Sequence, residues 1–84
     1  MEHITYTTKG TCSRQIDIEI NDNYIIESVK FTGGCSGNTQ GVSALVAGMS
    51  VEEAIKRLDG IKCGPRSTSC PDQLACALKT YKNQ

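Results

Sequence analysis

The hydrophobic pattern of this chain changes period once, at Gly33-Gly34, and that change constrains the fold more than any other feature. Before it, Ile16, Ile18 and Ile20 alternate with Gln15, Asp17 and Glu19, the period-2 signature of a strand buried on one face. Segments 3–8 and 24–32 read as its flanking strands, with Ile25, Val29 and Phe31 expected on one face of the latter. Lys9-Gly10 and Asn21-Asp22-Asn23 supply turns too short for a crossover, so the strands form an antiparallel meander. After the change, Val42, Leu45, Val46 and Met49 take helical spacing, with Gly48 as a C-terminal stop. Ser50-Val51-Glu52-Glu53 is a capping box opening a second helix through Ala54, Ile55 and Leu58, which Gly60 ends. Ser69-Cys70-Pro71-Asp72 opens a third, with Leu74, Ala77, Leu78 and Tyr81 as its buried stripe. The expectation is a single α+β domain: three strands, then three helices packed on one sheet face.

A core built by 84 residues is small, and here it draws on one Phe, three Tyr and no Trp. Chains of this size commonly recruit a disulfide, a metal or a partner to complete their stability. Nine basic residues balance nine acidic ones, which argues against a dedicated nucleic-acid or membrane-surface binder. No apolar run approaches the roughly 18 residues that span a bilayer. The start, Met1-Glu2-His3-Ile4, lacks the charge and apolar run of a signal peptide, so the expected compartment is the cytoplasm, where thiols stay reduced. Five cysteines there read as ligands or reactive thiols rather than a disulfide framework.

Counting directions along the meander and the helices brings Cys12, Cys35, Cys63 and Cys70 to one end of the domain. Cys76, six residues into the third helix, falls about 9 Å away along the axis and reads as a structural cysteine. Cys35 and Cys70 stand at helix starts, where orphan N–H groups favour a thiolate. Arg14, Lys62 and Arg66 lie close by in sequence to offset the charge. Four thiolates suit zinc first and an Fe–S cluster second. A redox-active thiol set and plain buried cysteines are the alternatives. His3, the one histidine, reads as a solvated side chain of a terminal strand. The loop from Gly33 to Asn38 lacks the lysine and spacing of a P-loop, so a nucleotide phosphate is a weaker ligand for it than a turn that aims Cys35. No Ser/His/Asp set or carboxylate pair points to hydrolysis, and the chain is not expected to be catalytic alone.

The run Thr68-Ser69-Cys70-Pro71-Asp72 resembles the signature of the TSCPD-domain family, as do Gly10-Thr11-Cys12-Ser13, Gly33-Gly34-Cys35-Ser36-Gly37-Asn38 and Gly60-Ile61-Lys62-Cys63-Gly64. The family's domain also occurs at the C-terminal end of cobalamin-dependent ribonucleotide reductases. The resemblance therefore implies an accessory role in deoxyribonucleotide synthesis, with a reductase as partner. A more distant resemblance joins Cys12, Cys35, Leu45-Val46-Ala47-Gly48-Met49 and Cys70 to the U-type iron–sulfur scaffold proteins, implying a scaffold-like fold and a cluster carrier. Those scaffolds carry an aspartate where this chain has Arg14, and Cys63 is an additional thiol. A fourth fixed ligand favours a retained centre over a donor site.

Overall fold

The computed structural model describes residues 2–11, 13–34 and 36–82. Strands β1 (Glu2–Thr7), β2 (Ser13–Ile20) and β3 (Ile26–Gly33) form an antiparallel sheet with β2 in the centre. Helices α1 (Ser36–Val46), α2 (Val51–Leu58) and α3 (Cys70–Lys82) follow, giving the expected α+β order.

The alternation in β2 decides which face the helices cover. Ile16, Ile18 and Ile20 are fully buried and join one core with Val46, Val51, Ala54, Leu74, Ala77 and Leu78. Burying each isoleucine stabilises the fold by about 1.5–3 kcal/mol. The opposite row stays polar: Thr5 Oγ1 donates to Asp17 Oδ1 at 2.9 Å, and Gln15 Nε2 to Asp17 Oδ2 at 3.1 Å. On that face His3 Nδ1 lies 2.6 Å from Glu19 Oε1, and Nε2 3.2 Å from Asp17 Oδ1. Carboxylates only accept, so this geometry suits a ring protonated on both nitrogens.

Two expectations about core positions are corrected. Ile26, not Ile25, shares a face with Val29 and Phe31, because the register slips between Glu19↔Ser28 and Ile20↔Ile26. The extra residue, Glu27, forms a bulge that reverses the phase of everything before it. In α1 the inward positions are Thr39, Val42 and Val46, whereas Leu45 is 76% exposed. Consecutive helical residues lie 100° apart, and a helix laid along β3 buries a stripe too narrow to include both Leu45 and Val46.

The connections fix the direction of each helix. Gly48 N–H donates to Ile26 O at 2.8 Å, Ile26 N–H to Met49 O at 2.9 Å and Val51 N–H to Tyr24 O at 2.9 Å. The α1–α2 connection is thus stitched to the start of β3. Ser50 caps α2, its Oγ accepting the Glu53 N–H at 3.1 Å. The chain then climbs back toward the end of the sheet where Ser13 pairs with Gly33. No helix among the described residues is long and apolar enough to cross a membrane.

Candidate functional site

At that end of the sheet the segment from Thr68 to Gln73 works as a fastening device, residue by residue. Ser69 caps α3: its Oγ accepts the Asp72 N–H at 3.2 Å and donates to Ile61 O at 2.7 Å. The one hydroxyl therefore starts a helix and anchors the loop before it. Thr68 Oγ1 donates to Asp72 Oδ2 at 2.5 Å, and Gly60 N–H donates to Asp72 Oδ1 at 2.7 Å. The Thr68 hydroxyl is the main reason the Asp72 carboxyl titrates below its ordinary range; burial opposes this and the Gly60 N–H assists it. Pro71 is buried in the first turn, where a missing N–H costs nothing.

Gln73 reaches furthest. Its Nε2 donates to Thr68 Oγ1 at 3.1 Å, and its Oε1 accepts the Lys9 N–H at 3.0 Å, tying α3 to the β1–β2 connection. That connection also needs glycine: Gly10 has φ +75°, and a Cβ there would meet Thr68 Cγ2 at 3.0 Å. Gln73 was not singled out from the sequence. The available signal was a glutamine on the same helical stripe as Cys70, Leu74 and Ala77.

Cys70 is buried, and its thiol lies 3.2 Å from Ser13 Oγ, toward which it donates. Ser13 Oγ in turn lies 3.0 Å from Thr11 Oγ1. Both hydroxyls can rotate, so the chain Thr11–Ser13–Cys70 can accept from a thiol or donate to a thiolate. Cys63 is exposed on the loop between α2 and α3; its N–H donates to Thr68 O at 3.2 Å and its carbonyl accepts the Arg66 N–H at 3.0 Å. Cys63 and Cys70 line one cavity of about 340 Å³, together with Thr11, Asn38, Lys62 and Arg66. Neither Lys62 nor Arg66 has a carboxylate partner among the described residues.

Of the four thiols expected at this end, Cys63 and Cys70 thus share a cavity, while Cys12 and Cys35 lie outside the described residues. The described neighbours of those two positions do converge. Ser13 pairs with Gly33, and a Cβ at Gly34 would lie 3.2 Å from the Ser13 Cβ. Among the described residues no three His, Cys, Asp or Glu side chains form a metal-holding group. Cys76 does not line the cavity as described; it is half-buried on α3, and burial, then the Asp72 charge, pushes its thiol above the ordinary range.

The TSCPD domain family model matches residues 1–82, and the chain belongs to that family. No curated protein and no solved structure matches it.

Proposed function

We propose that this TSCPD-domain chain is a cytoplasmic metal-binding domain, holding zinc through Cys12, Cys35, Cys63 and Cys70 in a structural or interaction-organising centre. The observation that carries the reading is the cavity shared by the free thiols of Cys63 and Cys70, fastened by the family signature itself. Thiolates are the soft donors that zinc and Fe–S clusters take. Ser13, beside position 12, hydrogen-bonds Cys70, the kind of outer contact that orients a ligating sulfur. When bound, the metal would tie two poorly buried loops to two helix starts, so that binding free energy appears as folding free energy.

Anaerobic purification followed by elemental and sulfide analysis tests this. Zinc without sulfide in a colourless protein is the expected result, and iron with sulfide would identify a cluster in its place. Chelation at neutral pH should lower Tm, at about 4–8 °C per kcal/mol lost for a domain of this size. Cys76→Ser should leave the metal stoichiometry unchanged. A folded protein that contains no metal, or melts identically with and without chelator, would remove the structural centre.

A further inference from the structure

We infer that the cavity at the thiol end also binds a small organic anion, its phosphate-type group held by Lys62 and Arg66. The inference starts from how this neutral chain distributes its charge. Arg57, Lys79 and Lys82 are paired, with Glu53, Asp59 and Glu52 respectively. Of the six remaining lysines and arginines, Lys9 lies in the β1–β2 connection, Arg14 in β2, Lys30 in β3 and Lys56 in α2, while Lys62 and Arg66 line the cavity itself. Apart from the thiols of Cys63 and Cys70, the ionisable side chains in the described lining are both cations.

The acid in the first turn of α3 does not cancel them. Asp72 is absent from that lining, and its two oxygens are taken by Thr68 and Gly60. Unpaired cations around a concavity raise the local concentration of anions, and an arginine fork matches a phosphate in two parallel hydrogen bonds. Asn38 adds an uncharged amide to the same wall.

Size and apolar surface say what else the ligand carries. About 340 Å³ falls at the lower end of the range of small-molecule sites, larger than a bare phosphate needs. Ile61 and Pro71 line the cavity, and Ile61 is 42% exposed, an apolar wall without a covering side chain. A phosphorylated molecule with a compact apolar body would use both the cations and this wall.

Titration calorimetry at low salt, with inorganic phosphate and with phenyl phosphate, tests the inference on the full chain as purified and again after chelation. Both probes should bind, phenyl phosphate about tenfold more tightly because its ring covers the Ile61–Pro71 wall. Lys62→Ala and Arg66→Ala should each weaken binding about tenfold, whereas Lys56→Ala on α2 should not. Added salt should weaken binding in the parent and have less effect in the double variant. No binding of either probe, or binding that survives in the double variant, would overturn the site. Equal affinity for the two probes would overturn the organic body. A double variant that loses metal, in a protein whose parent never bound phosphate, would show that these cations serve the thiolates instead. The titration is read whatever the metal content, so its failure is separate from failure of the zinc centre.

Discussion

Replacing Asp72 by asparagine keeps the side chain's shape but leaves one acceptor oxygen where the α2–α3 loop hangs on two. The carboxylate receives the Thr68 hydroxyl at 2.5 Å and the Gly60 N–H at 2.7 Å. Hydrogen bonds to a charged group contribute about 1.5–3 kcal/mol each when buried. Gly60 is exposed and Asp72 only half-buried, so we halve that range; one bond lost and the other weakened to a neutral one then amount to about 1.5 kcal/mol. Loss of a negative charge in the first turn of α3 acts in the same direction. At 4–8 °C per kcal/mol, Tm should fall by about 6–12 °C in thermal unfolding followed by circular dichroism. The pH dependence supplies a second and independent check. Because the folded Asp72 titrates below its ordinary value, its stabilisation is complete above about pH 4 and disappears as pH falls through the folded value. The gap between parent and Asp72→Asn should therefore be flat from neutral pH to about pH 5 and close below pH 4. A loss under about 0.5 kcal/mol, or a gap indifferent to acid, would refute the argument that this carboxylate fastens the loop.

Three further outcomes follow from the same structure. Gly41 sits in α1 with open space where a Cβ would go, so Gly41→Ala should raise stability by up to about 1 kcal/mol in urea denaturation. Gly34→Ala should lower it by about 1–2 kcal/mol, since φ is +86° and the new Cβ would meet the Ser13 backbone N at 3.2 Å. Hydrogen bonds to Glu19 and then Asp17 raise the pKa of His3, so its stabilisation is present below about pH 6.5 and lost as pH rises through the higher folded value. The stability difference between parent and His3→Gln should shrink across that window, and a difference that grows toward pH 8 would contradict the pairing.

Much of the fold was legible because its signals are local. The β2 alternation, the Ser50 and Ser69 caps and the left-handed Gly48 each act within a few residues, and each stands where the pattern placed it. Ile25 and Leu45 were misplaced for one shared reason. Periodicity assigns a face only while the backbone keeps a constant phase and the neighbour covers the whole stripe. The Glu27 bulge broke the first condition, and the narrow seat of α1 on β3 broke the second.

At the thiol end, Cys63 and Cys70 line one cavity because they stand seven residues apart, one in the α2–α3 connection and the other where it ends at α3. What sequence could not resolve was the role of the signature's other residues. Ser69 and Asp72 read from sequence as parts of a helix start, and Thr68 only as the first residue of the family signature. Asp72, Ser69 and Gln73 prove to be cross-links to Gly60, Ile61 and Lys9, positions up to 64 residues away, and the Thr68 hydroxyl ties Asp72 to Gln73. Local spacing determines which backbone groups a helix start must satisfy, and the sequence by itself determined that much. Which distant donors and acceptors complete those side chains depends on how three separate connections meet, and only the tertiary structure decides that.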